Sequence, residues 1–221
     1  WSADELIYID ISRDDNYDLG RYDTKIKRKD NILDIIYEIS KKCFIPLTFG
    51  GKIRTIEDIR ARLKNGADKV TINTVAIENP SFITESANVF GSQCIVVSID
   101  VKINDKGEHE VYKKFGEIHT GMNPVDWAKK IEELGAGEIF LNSIDKDGMG
   151  EGYDLDLIKL VSESVNIPVI ACGGVGNFEH FVDGIKVGAS AVAAGNIFNF
   201  TELSTVNAKK FMIAKEINVR I

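Results

Sequence analysis

The sequence predicts an α/β fold: a (β/α)8 barrel of parallel strands with helices outside, seven of whose eight strand–helix units fall within the 221 residues. Three observations carry that prediction. Short apolar strands and amphipathic helices alternate along the chain, and such alternation means a parallel sheet with helical crossovers. The stretch Cys94 to Lys102 contains an apolar, β-branched run that ends on one carboxylate, Asp100, as expected of a strand covered on both faces. Two other strands close on glycine pairs, Gly50-Gly51 and Gly173-Gly174, at the end of a parallel barrel where chemistry is done.

Taken in order, Glu5 to Ile11 reads as a strand, and the polar stretch Ser12 to Asp30 as a long loop. Asn31 to Lys42 carries Ile32, Ile35, Ile36 and Ile39 at helical spacing. Pro46 to Gly50 is a short strand. Thr55 opens a helix with Asp58 three residues on, a near capping box, and Gly66 stops it. Lys69 to Asn73 is a strand. Asn79-Pro80-Ser81 starts a helix that ends near Phe90. The Asp100 strand follows. Asn104-Asp105-Lys106-Gly107 is a turn and Glu108 to Lys113 alternates, which predicts a hairpin above the strand end. Asn123-Pro124 caps a helix through Leu134. Glu138 to Ser143 is a strand, Asp154 to Ser164 a helix, and Pro168 to Cys172 a strand. Asn177 to Lys186 is a helix, Ala191 to Ala194 a strand, and Thr205 to Ile217 the last helix. All of this reads as a single barrel domain over residues 1–221.

An internal repeat is expected. Gly50-Gly51, a helix, Gly66-Ala67 and a strand to Asn73 are matched by Gly173-Gly174, a helix, Gly188-Ala189 and a strand to Ala194. The strands at Glu5 and Glu138 match as well. Three matched elements in one order predict two half-barrels. The counterpart of the Asp100 strand would then precede Trp1, so the absent unit is expected to be the first, carrying a partner carboxylate across the mouth.

Composition bounds the function. With 44% hydrophobic and 28% charged residues the chain is ordinary for a globular protein, and no apolar run approaches a bilayer span. A net charge of −7 and a pI near 5.1 argue against general nucleic-acid binding. Cys43, Cys94 and Cys172 are far apart in apolar surroundings and show no metal spacing, and His109, His119 and His180 are scattered. Buried reduced thiols, a cytoplasmic setting, no membrane attachment, no metal and no cofactor are expected.

Asp100 is the expected acid/base catalyst, since a carboxylate ending the most apolar strand is costly without a purpose. Asp10, Asp145 and Asp147 also lie at or near strand ends, where a helix cap or loop ion pair is the plainer explanation. Glycine pairs let backbone approach a ligand, and a following helix N-terminus favours anions. Gly51 with Lys52, Asn73 and Thr74 would form one phosphate cradle. Gly173 and Gly174 with Asp147, Gly148, Gly195 and Asn196 would form the other. Two cradles across a mouth suggest a bisphosphate ligand, against the simpler reading of turn glycines. Lys69, Glu5 and Glu138 open their strands at the opposite face, where such charges serve stability or gate the barrel axis.

Several motifs together are more specific than any of these. They are Ala67-Asp68-Lys69-Val70-Thr71-Ile72-Asn73-Thr74, Glu78-Asn79-Pro80-Ser81, Phe90-Gly91-Ser92-Gln93, Ser98-Ile99-Asp100, Gly135-Ala136-Gly137-Glu138-Ile139, Ser143-Ile144-Asp145-Lys146-Asp147-Gly148, Gly152-Tyr153-Asp154 and Glu179-His180-Phe181. At these residues the chain resembles the cyclase subunit of imidazole-glycerol-phosphate synthase, a lyase family of histidine biosynthesis.

The resemblance implies a TIM barrel that takes ammonia from a partner glutaminase docked at the N-terminal face. It implies conversion of a phosphoribulosyl-formimino aminoimidazole carboxamide nucleotide, a bisphosphate, to imidazole glycerol phosphate and aminoimidazole carboxamide ribonucleotide. It makes Asp100 one of two catalytic aspartates and places the other on the absent first strand. It assigns phosphate contacts to Asn73, Thr74, Asp147, Gly148, Gly174, Gly195 and Asn196, and the ammonia gate to Lys69, Glu5 and Glu138.

Three departures bear on substrate. Lys52 stands where the family has the third of three glycines, Gly195-Asn196 replaces Ala-Ser, and the Ser12–Asp30 loop is longer. Lys52 and the Asn142-Ser143-Ile144-Asp145-Lys146-Asp147-Gly148 form lean toward related barrels of surface-polysaccharide (lipopolysaccharide) synthesis, where the subunit supplies ammonia for sugar amidation, while histidine biosynthesis stays the leading reading. A non-catalytic ammonia conduit and a phosphosugar isomerase are the remaining alternatives.

Overall fold

The computed structural model describes residues 3–12, 31–199 and 204–220. The expected loop through Asp30 therefore lies, from residue 13 onward, outside the described residues. Among the described residues, seven strands form a parallel sheet in sequential order: β1 (Leu6–Ile9), β2 (Leu47–Gly50), β3 (Lys69–Ile72), β4 (Ile95–Ile103), β7 (Glu138–Ser143), β8 (Val169–Cys172) and β9 (Ala191–Val192). Helices α1 (Ile32–Ser40), α2 (Ile56–Lys64), α4 (Ser81–Phe90), α5 (Pro124–Glu133), α6 (Leu155–Ser162), α7 (Phe178–Lys186) and α8 (Thr205–Ala214) follow the strands.

One lysine reveals that the sheet curls. Glu5 just before β1, Lys69 on β3 and Glu138 on β7 all sit where their strands begin. In a flat sheet β1 and β7, four strand spacings apart, would be separated by roughly 19 Å. Yet Lys69 Nζ lies 3.0 Å from Glu5 Oε2 and 2.6 Å from Glu138 Oε1. The sheet must bend round for one ammonium to reach both carboxylates.

The core forms as the apolar pattern dictates. Ile95, Val96, Val97, Ser98 and Ile99 are all buried, so β4 is covered on both faces. Ile139 and Leu141 on β7, Ile83 on α4, Ile131 on α5 and Val182 on α7 join the same cluster. Tyr8 stacks on Phe49 with ring centroids 4.8 Å apart.

Helix ends follow the predicted caps. Asn31, Asn123, Asp154 and Asn177 each accept a backbone N–H of the first turn, and Pro124 stands at the start of α5. Thr55 and Asp58 form a reciprocal capping box on α2. Burial alone would raise the Asp58 carboxyl, but backbone and side-chain donors at Arg54 and Thr55 outweigh it and hold the group below the usual range. Its contribution to stability is therefore present above the ordinary aspartate value and is lost as pH falls through the folded value. Thr55→Ala should cost about 1 kcal/mol in urea unfolding near neutral pH.

Some expectations need correcting. β4 does not stop at Asp100. It pairs with β7 as far as Val101↔Ser143, then runs on to Ile103 as the antiparallel partner of β5 (His109–Lys113). β6 (Ile118–His119) completes the expected hairpin. A short helix α3 (Thr74–Glu78) precedes α4, and a single 3-10 turn, Ser92–Cys94, leads into β4. β9 is two residues long rather than four, and α8 ends at Ala214. Cys43, Cys94 and Cys172 are free but half-buried rather than buried. No helix among the described residues is long and apolar enough to cross a membrane.

Candidate functional site

Parallel strands deliver their C-terminal ends to one face, and Asp100, Asn73, Asn142 and the glycine pairs all arrive there. Asp100 is half-buried. Asn73, just beyond β3, donates from Nδ2 to Asp100 Oδ2 at 3.0 Å. Ser98, two residues back on the same face of β4, donates its hydroxyl to Oδ1 at 3.3 Å. Asn142 stands opposite Asp100 on β7. Burial pushes the Asp100 carboxyl up to about 6; hydrogen bonds from Ser98 and Asn142 pull it down, and the Asp147 charge adds to the rise. A carboxylate titrating there can exchange a proton near neutral pH. Asn73 Oδ1 and Asn142 Oδ1 are buried without a hydrogen-bond partner, so both side chains keep acceptor capacity beside Asp100.

A cleft beside this group is lined by Asp147, Gly148, Cys172, Gly173, Gly174, Val175, Ala193, Ala194, Gly195 and Asn196. It gathers all six residues expected of the second cradle. The backbone there needs glycine. Gly174 has φ +111°, and a Cβ on it would fall 2.1 Å from the Gly152 carbonyl oxygen. Gly148 has φ +76° but open space around it. Gly174→Ala should therefore cost about 2–3 kcal/mol in chemical denaturation and Gly148→Ala only about 1. Burial also pushes the Cys172 thiol up to about 12, which keeps it protonated in the cleft.

The first cradle is less gathered. Gly51 has φ +91°, and its missing Cβ faces the Asp10 backbone. Lys52 adopts φ +54°, a glycine-like conformation. Its Nζ lies 3.9 Å from Asp10 Oδ2. Asp10 is buried and accepts the Ser12 backbone N–H and hydroxyl at Oδ1. Arg62, buried on α2, donates from Nη2 to the Gly51 carbonyl at 2.9 Å and braces this turn from behind. Asn73 is turned toward Asp100. Thr74 Oγ1 accepts the Lys114 N–H at 3.2 Å, so the β5–β6 hairpin tip reaches over this side of the mouth. Asp145 accepts the Ile103 N–H at 2.7 Å and is a loop anchor, its plainer reading.

At the opposite face, Lys69, Glu5 and Glu138 meet as expected of charges ringing one end. Burial alone would lower the Lys69 ammonium, but hydrogen bonds to Glu138 and Glu5 outweigh it and raise the group above its ordinary value.

A model of the histidine biosynthesis protein family matches residues 22–204. The chain belongs to that family. It is also 44% identical, over 99% of its own length and 83% of the relative's, to the imidazole glycerol phosphate synthase subunit HisF of Hydrogenobaculum sp. (strain Y04AAS1). The family match spans β2 through β9, so Asp100, both sets of cradle residues and Lys69 lie inside it. Ser98 and Asn142 stand within motifs noted from sequence, but neither was expected as a site residue. Period-two alternation along β4 would have put Ser98 on the Asp100 face, but only strand register could place Asn142.

Proposed function

We propose that the chain is the cyclase subunit of imidazole glycerol phosphate synthase. It would use ammonia from a partner glutaminase to convert the bisphosphate nucleotide to imidazole glycerol phosphate and aminoimidazole carboxamide ribonucleotide. The observation that carries this reading is Asp100: a desolvated carboxylate near pKa 6 beside a glycine-lined cleft, in a chain 44% identical to such a synthase subunit.

In this reading Asp100 exchanges protons with the nucleotide during ring closure and cleavage. Asn73 and Ser98 hold it in place by donating to its two oxygens. Gly148, Gly174, Gly195 and Asn196 offer backbone and amide donors to one phosphate. Gly51, Lys52 and Thr74 serve the other. Lys69, Glu5 and Glu138 admit ammonia from a glutaminase docked at that face.

A single barrel of two half-repeats, closed by one more strand–helix unit between β9 and β1, is part of the proposal. Its support is geometric. α2 and α7 are each nine residues long and start from N-caps. Each is followed by a glycine, Gly66 at φ +109° and Gly188 at φ +119°, whose missing Cβ faces Ser40 and Ser162 respectively. β1 and β9 end the sheet, and Leu6, Tyr8 and Ile9 on β1 are exposed. A strand added there would cover them and carry the second carboxylate. The setting is the cytoplasm, where glutamine-fed biosynthesis runs.

The test is turnover. Full-length protein given the bisphosphate nucleotide and an ammonium salt should release imidazole glycerol phosphate. No product at saturating ammonium would overturn the reading. Lys52 favours a second reading, ammonia supply for amidation of a surface-polysaccharide sugar, because a cation occupies a glycine's place and conformation in one cradle. That reading predicts no cyclase turnover, but amidation once glutaminase and amidotransferase are added.

A further inference from the structure

The loops that form the cleft converge on one side chain outside it, His180 on α7. Two loop segments, 150–152 and 173–176, lie back to back. Gly152 N–H donates to the Gly174 carbonyl at 2.7 Å. A Cβ on Gly176 would fall 2.1 Å from the Gly150 carbonyl oxygen. This contact has no slack, so whatever fixes Gly176 fixes both segments. Gly176 N–H donates to His180 Nδ1 at 3.1 Å. The flat face of the same ring runs alongside Gly152, whose missing Cβ would sit 3.5 Å from Cδ2 and Nε2. The imidazole thus touches one segment by a hydrogen bond and the other by packing.

The hydrogen bond dictates the tautomer. A neutral imidazole has one acceptor nitrogen, and two N–H groups approach its two nitrogens: the Gly176 backbone at Nδ1 and Asn177 Nδ2, 3.1 Å from Nε2. The backbone group cannot rotate away. The lone pair therefore belongs at Nδ1, facing Gly176.

We infer that His180 is a positioning residue for the phosphate cradle, acting through the Gly176 N–H to hold the Gly173–Gly176 turn against the 150–152 segment. It touches no reacting atom. This rests on the reading of the cleft as a phosphate site. Its role is geometric: Gly174 and Gly148 present their N–H groups to an anion only while the two segments keep their spacing. An acceptor at the Nδ1 position is the required chemistry. Asparagine supplies one, since its Oδ1 sits at about the same distance from the backbone, and leucine supplies none.

The experiment follows inorganic phosphate binding to the 15N-labelled full-length protein, read from the amide shifts of Gly148, Gly174 and Gly195, in wild type, His180→Asn and His180→Leu. Thermal melts run alongside. His180→Leu should weaken phosphate at least tenfold, while His180→Asn stays within about threefold of wild type. With the nucleotide, His180→Leu should raise KM far more than it lowers kcat. Equal phosphate affinity in wild type and His180→Leu would overturn the inference. So would an Asn variant as weak as the Leu variant despite a wild-type melt, or a wild type that binds no phosphate. A wild type without cyclase turnover that still binds phosphate in a His180-dependent way would fault the proposed reaction and uphold the positioning role.

Discussion

Asp100→Asn should lower kcat for ammonium-driven turnover by about 10²–10⁴-fold, the range associated with a positioned acid or base. The same change should leave the fold more stable at mildly alkaline pH. The Asp100 carboxyl is raised from 3.8 to about 6 by burial, so the folded chain disfavours its charged form. Stability is then greatest below the unfolded value and is lost as pH rises through about 6. Asparagine removes that penalty. Urea unfolding at pH 8 should find the variant about 1–2 kcal/mol more stable than wild type, and the gap should close below about pH 4. Loss of both activity and stability at pH 8 would instead mark Asp100 as a structural anchor for Asn73 and Asn142.

Lys69→Met should have the largest effect on stability. The lysine side chain is 16% exposed and that of Glu138 is 18% exposed, and Glu138 Oε2 is buried without a hydrogen-bond partner. Removing the ammonium leaves two carboxylates facing each other with no cation between them. A loss of about 2–4 kcal/mol follows from breaking such a pair, or roughly 5–10 °C in Tm for a chain of this size. Because the folded Lys69 value is raised, the stabilisation is full below the ordinary lysine value and fades as pH climbs through the folded one. Adding Glu138→Leu to Lys69→Met should restore most of the loss, since an apolar pair avoids the unpaired charge. On the proposed reading of Lys69 as part of an ammonia gate, Lys69→Met should reduce glutamine-fed turnover more than ammonium-fed turnover, because only the former would pass that gate.

Much of the fold was legible because its signals are local. Thr55 with Asp58, Asn123 with Pro124, and Asn177 each announce a helix start through chemistry within four residues. The apolar run around Ile95–Ile99 announces a strand buried on both faces. What was not legible depends on partners distant in sequence. The hairpin turn was readable, but that β4 runs unbroken past Asp100 into it, paired with β7 as far as Val101, depends on cross-strand register. α3 was missed because five residues carry too little periodicity.

That Gly148, Gly173, Gly174 and Gly195 of the expected second cradle meet at one cleft was readable from their missing side chains. The first was only half readable. Lys52 in a glycine-like conformation and Thr74 engaged by Lys114 follow from backbone geometry and a hairpin contact. The contacts of Asn142 with Asp100 and of His180 with Gly176 were invisible in sequence because each reaches a neighbour outside its own element.

On the proposed reading, burial at the strand ends holds Asp100 as a proton-transfer group poised near neutrality. The decisive measurement follows the Asp100 carboxyl with 13C NMR from pH 3 to 8, the resonance assigned by its loss in Asp100→Asn. A midpoint near 6 is expected. A midpoint near 4, the value of a solvated aspartate, would contradict it.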